Sequence, residues 1–264
     1  MKKIRKKIRT YIDTDVYDEA IKRINHIYDI FDTVVVLFSG GKDSLAALHL
    51  VKEVANSRGI EKVHVVFRDE ELIPQVVIDF VDKYRQKDWV DMKYFAVPLY
   101  SQKYILGRTE TYVQWDKNRK HIRKIPDFAI QTDENDTRVF SQDSMHSYTA
   151  SFYSGKIAFI NGIRSSESLI RFASCMIANV RFCKPIFYWE ENDVFKYFME
   201  KDIPYCNIYD WQMWNGDQLR VATPIHQEAA KKFDKLKTLD PTLYQQVVEL
   251  FPEMIIQERY YKEY

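Results

Sequence analysis

The feature that most constrains this 264-residue chain is a continuous apolar run rich in β-branched residues, at residues 33–38, which is followed after one serine by a glycine pair. Such a run is typical of a strand buried on both faces, as in a parallel sheet. Apolar spacing predicts a helix on each side of it, over residues 16–31 and 45–55. Further strands are predicted at residues 63–67, 92–97 and 156–161. Strands that alternate with helices predict an α/β fold with a doubly wound, mainly parallel sheet.

The chain divides into a basic N-terminal segment with a helix (residues 1–30), the strand–helix alternation (31–205) and a helical C-terminal extension (206–264). Residues 100–150 are polar, aromatic and weakly periodic, so we expect long loops with short helices there. The sequence contains no run of about 18 apolar residues, so we expect no transmembrane helix. Because no apolar segment of signal-peptide length follows the basic N-terminus, we expect a cytoplasmic protein with no membrane partner.

The segment that joins the first predicted strand to its helix has the composition of an anion-binding loop. Glycines allow positive φ and close approach of the backbone, and amides at a helix start favour negative charge. The lysine adds a positive charge, and Asp43 would cap the helix or hold Mg²⁺ against phosphates. A Walker A loop would need glycine at Val36, and G-x-G-x-x-G is absent. The predicted phosphate site consists of Ser39, Gly40, Gly41, Lys42, Asp43 and Ser44.

SGGKDS after a hydrophobic strand resembles the PP-loop of ATP pyrophosphatases, a superfamily that includes sulfonucleotide (PAPS) reductases and tRNA-thiolating enzymes. The resemblance implies an adenine nucleotide alpha-hydrolase-like fold that binds ATP, or a related adenine nucleotide, and cleaves ATP between its α- and β-phosphates. In such a fold the second strand ends beside the first, so Asp69 is a candidate contact to adenine or ribose. An acidic cluster placed for a helix dipole is an equal alternative.

A second motif, GIRSSESLIR at residues 162–171, follows the strand predicted at 156–161. The periodicity predicts a helix that begins near Ser166, with Arg164 just before it and free to face the ligand. A guanidinium suits phosphate or sulfate because it donates two parallel hydrogen bonds. Glu167 and Arg171 would pair on one helix face, and a surface helix with such an ion pair is the alternative interpretation.

The second motif resembles the G-x-R-x-x-[EQ]-S-x-x-R stretch of sulfonucleotide reductases, and residues 184–194 resemble their K-x-P-L-x-x-W-x-x-x-D-V stretch. In that family the arginines bind the nucleotide substrate. The resemblance therefore implies nucleotide contacts from Gly162, Arg164, Glu167, Ser168, Arg171 and Lys184.

The cysteines depart from the reductase pattern. Those enzymes attack sulfur with a thiolate near the C-terminus, whereas no cysteine follows Cys206. Three cysteines are too few for an iron–sulfur cluster, so none is expected. Cys183 adjoins Lys184, which would lower its thiol pKa if the two side chains were close, and a buried structural cysteine is the alternative. The remaining thiol is that of Cys175.

Residues 211–226 resemble phage- and prophage-borne proteins of the PAPS reductase family more than the assimilatory enzymes. Arg220 and His226 are candidates to reach the nucleotide. The alternative is that the helical extension serves only in packing.

Three functions remain open. The first is an enzyme that adenylates an acceptor and releases pyrophosphate, with Lys42, Asp43 and Arg164 as catalytic residues and Mg²⁺ beside ATP. The second is an APS or PAPS reductase that uses an external thiol. The third is a nucleotide-sensing or nucleic-acid-modifying protein, with the basic residues between Lys2 and Arg9 as an arm, although the net charge is only +1. A homodimer is an open alternative to a monomer.

Overall fold

The computed structural model describes residues 13–176 and 182–263, apart from the side chains of Cys175, Met176 and Glu263. The basic arm between Lys2 and Arg9 lies outside these residues. The strands are β1 (Thr33–Leu37), β2 (Val63–Arg68), β3 (Val90–Phe95), β4 (Leu99–Ile105), β5 (Arg108–Gln114), β6 (Ile157–Ile160) and β7 (Phe182–Cys183). The helices are α1 (Val16–Ile30), α2 (Lys42–Ser57), α3 (Gln75–Arg85), α4 (Gln142–Ala150), α5 (Leu169–Met176), α6 (Glu191–Glu200), α7 (Ile208–Trp214), α8 (Gln227–Ala230), α9 (Leu236–Leu239), α10 (Pro241–Leu250) and α11 (Met254–Glu263), with a 3₁₀ turn at Phe233–Lys235.

Five strands form one parallel sheet in the order β3-β2-β1-β6-β7. The β-branched side chains of β1 explain its central position, because they fill a core on each face. Val34 and Val36 pack among side chains of α1, α2 and α3, whereas Val35 packs with Phe140 and Phe159 on the other face. The predicted doubly wound, mainly parallel sheet of the adenine nucleotide alpha-hydrolase-like type is therefore confirmed.

The expectation of long loops with short helices over residues 100–150 was wrong for residues 100–114, whereas residues 115–141 contain no helix or strand and α4 is a short helix. β4 and β5 pair as an antiparallel hairpin with a two-residue turn, Leu106-Gly107. Both turn residues have positive φ, +43° and +85°, as a type I′ turn requires. The sequence did not predict this hairpin because its turn is Leu-Gly, whereas the usual signal is Asn-Gly or Asp-Gly.

The hairpin packs against two cores: Leu99 at the start of β4 lies in the core of the large sheet, and β5 contacts the C-terminal extension. Tyr112 of β5 shares a core with Phe233, Leu243 and Val247 of the extension. Leu72, which follows β2, belongs to the same cluster and connects this small core to the sheet.

The helix expected from Ser166 begins later, at Leu169. Residues just before it are held by the segment after β7 instead. Ser165 N–H donates to the Phe187 carbonyl at 3.0 Å, and Ser166 Oγ donates to the Trp189 carbonyl at 3.1 Å. These bonds keep the arginine motif in a loop at the carboxyl edge of the sheet.

Within residues 13–176 and 182–263, every helix is too short or too polar to cross a membrane.

Candidate nucleotide site

The predicted phosphate loop lies at the carboxyl end of β1, where α2 begins at Lys42. Gly40 has φ +76°, and a Cβ added there would lie 2.9 Å from Val77 Cγ1 and 3.0 Å from Val81 Cγ2 of α3. Only glycine suits both this backbone conformation and this close approach. The glycine pair thus turns the chain sharply from the sheet into the first turn of α2.

The two serines of the loop hold its shape through hydrogen bonds to one another. Ser44 Oγ donates to the Gly41 carbonyl at 2.9 Å and accepts from the Ser39 N–H at 3.2 Å. The two hydroxyl oxygens are 3.1 Å apart, and the Gly41 N–H donates to Ser39 Oγ at 3.3 Å. The loop is therefore preorganised by its own side chains.

Lys42 is almost completely buried, with 3% of its surface exposed. Its Nζ donates to the Leu219 carbonyl at 2.8 Å and lies 3.3 Å from Glu191 Oε2. Its backbone N–H donates to the Tyr209 hydroxyl at 2.7 Å. Burial raises the pKa of Tyr209, so this hydroxyl stays neutral at physiological pH. Groups from α6 and the C-terminal extension thus engage the backbone N–H and the ammonium group of Lys42.

Arg164 meets the loop although 121 positions separate it from Asp43 in sequence. Arg164 is 5% exposed, its Nε donates to Asp43 Oδ1 at 2.6 Å, and its Nη1 donates to Ser166 Oγ at 3.1 Å. The Arg164 N–H donates to Glu167 Oε1 at 2.8 Å. The structure brings the two motifs together, and their roles toward a nucleotide remain predictions.

Asp43 does not fit the predicted magnesium ligand in this arrangement. Its Oδ1 accepts from Arg164, and its Oδ2 lies 3.2 Å from Lys42 Nζ, so both oxygens already face a protein cation. Across residues 13–176 and 182–263, no group of three or more His, Cys, Asp or Glu side chains is placed to hold a metal ion. The aspartate instead orients the two cations of the site.

Gly162 lies against the backbone of the first turn of α2. A Cβ added to Gly162 would lie 2.6 Å from the carbonyl carbon and oxygen of Asp43 and from the nitrogen of Ser44. Real side chains do not approach backbone this closely, so glycine is required for packing. Gly162 therefore allows the arginine motif and the phosphate loop to pack closely together.

We expect Gly162→Ala to lower the free energy of unfolding by about 1–3 kcal/mol, because the two motifs must separate to admit the methyl group. ATP binding should weaken with it, since Arg164 would move away from the loop. Urea denaturation and calorimetric titration measure the two effects. The control is Gly59→Ala, where φ is +72° and no atom lies within 4 Å of the added Cβ. That variant should lose some stability through backbone strain and leave ATP binding unchanged.

The remaining residues of the arginine motif are more exposed. Glu167 Oε2 lies 3.9 Å from Arg171 Nε, the predicted i,i+4 pair, and the Ser168 hydroxyl accepts from the Arg171 N–H at 3.1 Å. Lys184 donates through Nζ to the Ser174 carbonyl at 2.6 Å. In this structure Glu167 and Arg171 fit the alternative interpretation, a surface ion pair, because half of the Arg171 side chain is exposed.

Asp69 is buried, and protein donors engage both of its carboxylate oxygens. Oδ2 accepts from the Tyr94 hydroxyl at 2.6 Å, and Oδ1 accepts from Arg123 Nη2 at 2.5 Å and from the Glu71 N–H at 2.9 Å. Burial raises the Asp69 pKa, while the Arg123 guanidinium lowers it. Because protein donors already engage both oxygens, the structure favours an anchoring role for Asp69, and a contact to adenine or ribose stays a prediction. Its neighbours place it in a buried network rather than in a cluster at a helix start.

Glu71 completes this network and was not identified from the sequence. It is 0% exposed at φ +59°, and both of its oxygens accept hydrogen bonds from Arg119, at 2.8 and 2.6 Å. The Trp115 N–H donates to Glu71 Oε2, and Trp115 Nε1 donates to the Asp69 carbonyl, each at 2.7 Å. Two arginines four positions apart, at 119 and 123, were the only sequence signal. The network ties residues 115–123 to the carboxyl end of β2.

The structure describes the side chains of two cysteines, Cys183 and Cys206, and neither thiol has a lowered pKa. Burial raises the pKa of Cys183, and burial raises the pKa of Cys206 to about 11. Of the two interpretations of Cys183, the structure favours the structural cysteine, because desolvation raises its pKa and Lys184 Nζ donates to the Ser174 carbonyl instead. Of the two candidates in the extension, Arg220 lines a cavity, and His226 precedes α8 with an imidazole whose pKa burial lowers.

Residues 33–215 match the family described as the phosphoadenosine phosphosulfate reductase domain. The chain is 28% identical over 235 residues to the uncharacterized protein YbdN of Escherichia coli, covering 78% of this chain and 57% of that protein. It thus spans little more than half the length of that relative. An adenosine 5'-phosphosulfate reductase of Staphylococcus epidermidis is 24% identical over 214 residues, with 75% of each chain covered. The structure of Candida glabrata FMN adenylyltransferase with FMN and the ATP analogue AMPCPP has a TM-score of 0.49 at 12% identity, covering 77% of this chain and 64% of that chain.

Proposed function

The chain belongs to the phosphoadenosine phosphosulfate reductase domain family, and on that premise we propose that it binds ATP at residues 39–44 and transfers the adenylyl group to an acceptor. The observation that carries the proposal is the contact of Arg164 with Asp43 at the start of α2. This contact places the buried guanidinium of Arg164 beside the N-terminus of α2 and the buried ammonium group of Lys42. Such a set of fixed positive groups suits a polyphosphate.

The proposed reaction exchanges one bond at the α-phosphorus of ATP. An acceptor oxygen or nitrogen forms a bond to that phosphorus and loses its proton, and the bond to the oxygen bridging the α- and β-phosphates breaks. Pyrophosphate leaves with the electron pair. Negative charge therefore develops on the leaving group, and preorganised cations and amides lower the energy of that state.

Two cations of this chain would stabilise that charge. Lys42 stands at the first position of α2, where its ammonium group adds to the helix dipole. Arg164 uses Nε and Nη1 for Asp43 and Ser166, and no acceptor for its Nη2 is found among residues 13–176 and 182–263. We assign this free nitrogen to a phosphate oxygen. Asp43 positions both cations by accepting from each of them.

The reductase alternative has less support from the geometry. A sulfur-attacking residue needs a thiolate near neutral pH, and burial raises the thiol pKa of both Cys183 and Cys206. The side chain of Cys175 lies outside the described residues. Adenylyl transfer, in contrast, needs no thiolate, and Lys42 and Arg164 already lie beside the loop.

The product of ATP turnover tests the proposal. With magnesium ATP labelled at the α- or the γ-phosphate, we expect labelled AMP (or an AMP adduct) and labelled pyrophosphate, resolved by chromatography. ADP with inorganic phosphate would contradict cleavage between the α- and β-phosphates. Sulfite release from APS or PAPS with thioredoxin, together with no ATP turnover, would favour the reductase instead.

A further inference from the structure

A short segment of the extension, residues 217–222, lies between the phosphate loop and a cavity, and we call it the strap. On the loop side, the Leu219 carbonyl accepts from Lys42 Nζ at 2.8 Å, and a Cβ on Gly41 would lie 3.8 Å from Val221 Cβ. On the other side, Gln218, Arg220 and Ala222 line the cavity. The strap thus presents alternate residues to the loop and to the cavity.

The cavity behind the strap has a volume of about 170 Å³. Its walls include Trp211 of α7, Ala229 of α8 and Leu236 of α9. A buried cavity of about 150 Å³ admits a benzene ring, so there is room here for a displaced side chain. The strap therefore has space into which it can retreat from the loop.

Tyr209 and the strap accept hydrogen bonds from two donors of the predicted phosphate loop. The Lys42 N–H donates to the Tyr209 hydroxyl at 2.7 Å, close to its 2.8 Å contact with the Leu219 carbonyl. These are the lengths that charge-assisted bonds to a phosphate oxygen would have. A Cβ on Gly41 would lie 3.2 Å from the same hydroxyl. A phosphate can accept from the Lys42 N–H only once the Tyr209 hydroxyl has left, and it can accept from Nζ only by displacing one of the three acceptors there, the Leu219 carbonyl, Asp43 or Glu191.

Two sets of contacts hold the strap in place. The side-chain amide of Gln212 donates to the Arg220 carbonyl at 2.7 Å and accepts from the Arg220 N–H at 3.0 Å. Asp217 accepts from Lys232 and Lys235 at 2.7 Å each. The side chains of Lys232 and Lys235 are 52% and 34% exposed, whereas the side chain of Asp217 is 8% exposed. The strap is therefore held by a few polar contacts, which a polyphosphate would have to replace.

We infer that the strap and Tyr209 form a gate that covers the phosphate loop in the nucleotide-free protein and withdraws into the cavity when a polyphosphate binds. The inference rests on the proposed function in one respect, that residues 39–44 bind phosphate. It adds that binding exchanges two protein acceptors for two phosphate oxygens. The affinity for nucleotide is then set partly by the extension.

Calorimetric titration with inorganic pyrophosphate tests the gate without requiring ATP turnover. Tyr209→Phe should bind pyrophosphate roughly 3- to 10-fold more tightly than the wild type. The variant leaves the Lys42 N–H without an acceptor in the closed state but not in the bound state, so it destabilises only the closed state. The matched control is Tyr205→Phe. The Tyr205 hydroxyl donates to Asp210 at 3.0 Å, away from Lys42, so its removal should leave the affinity for pyrophosphate unchanged. Equal or weaker binding by Tyr209→Phe than by the wild type would overturn the gate, as would no pyrophosphate binding by either protein.

Filling the cavity should act in the opposite direction. Ala229→Phe places a ring where the strap would retreat, and we expect pyrophosphate to bind at least roughly 3-fold more weakly, with the loop unaltered. Unchanged binding by a folded Ala229→Phe protein would contradict retreat into the cavity.

Hydrogen exchange gives a readout that does not depend on any variant. The Arg220 amide, held by Gln212 in the closed state, should exchange faster at saturating pyrophosphate, and unchanged or slower exchange would overturn the gate. If pyrophosphate opens the strap but ATP yields no AMP, the gate stands and adenylyl transfer fails. If ATP yields AMP while the strap amides stay protected throughout, adenylyl transfer stands and the gate fails.

Discussion

Replacing Lys42 with alanine is expected to lower the rate of AMP and pyrophosphate formation by about 100-fold or more. The ammonium group is buried at the start of α2, where water cannot replace it, and it faces the charge that develops on the leaving pyrophosphate. Loss of one such preorganised group costs about 3 kcal/mol of transition-state stabilisation. The rate is measured with α-labelled ATP under saturating magnesium ATP.

The matched control for this variant is Lys196→Ala on α6. Lys196 pairs only with Glu200 at the surface, where 70% of its side chain is exposed, so its removal should leave the rate unchanged. Circular dichroism checks that both variants fold. A folded Lys42→Ala protein that keeps more than a third of the wild-type rate would show that Lys42 does not serve the chemical step.

Replacing Arg119 with methionine is expected to lower the free energy of unfolding by about 3–5 kcal/mol. Glu71 is fully buried and receives two hydrogen bonds from Arg119, so the variant leaves a buried carboxylate without its countercharge. The loop at residues 115–123 should detach from the end of β2 as a result. Urea denaturation at neutral pH measures the change.

Arg138→Met is the control, since Arg138 pairs with Asp136 in a similar forked geometry but on the surface. Its unfolding free energy should change little. The double variant Glu71→Gln with Arg119→Met should recover part of the lost stability, because it removes the uncompensated charge. An Arg119→Met protein as stable as the Arg138→Met control would mean that Glu71 does not depend on its arginine.

The sheet and the phosphate loop were predictable because their signals are local. A β-branched run before a glycine pair specifies both a central parallel strand and a turn with positive φ, and residues 33–41 form these elements. The meeting of Arg164 with Asp43 also followed from topology, since the carboxyl ends of parallel strands share one edge.

Other parts of the site depend on contacts between residues far apart in the chain. The Tyr209 hydroxyl reaches the Lys42 N–H across 167 positions, and nothing in the residues around Tyr209 indicates that partner. Asp69 was a candidate ligand contact, with an acidic cluster at a helix start as the equal alternative, and neither interpretation included its buried partners. Arg123, 54 positions on, engages its carboxylate, and only the folded chain reveals this. Specific side-chain partners therefore mark the limit of inference from a single sequence.

The small core shared by Tyr112 of the hairpin and Phe233 of the extension has a practical meaning for any shortened version of this protein. The stretch that matches the family ends at residue 215, before every extension residue of that core. Cutting the chain there would leave the apolar side of the hairpin facing water, an aggregation hazard. We therefore expect a shortened protein to need the extension residues of this core in order to cover the hairpin.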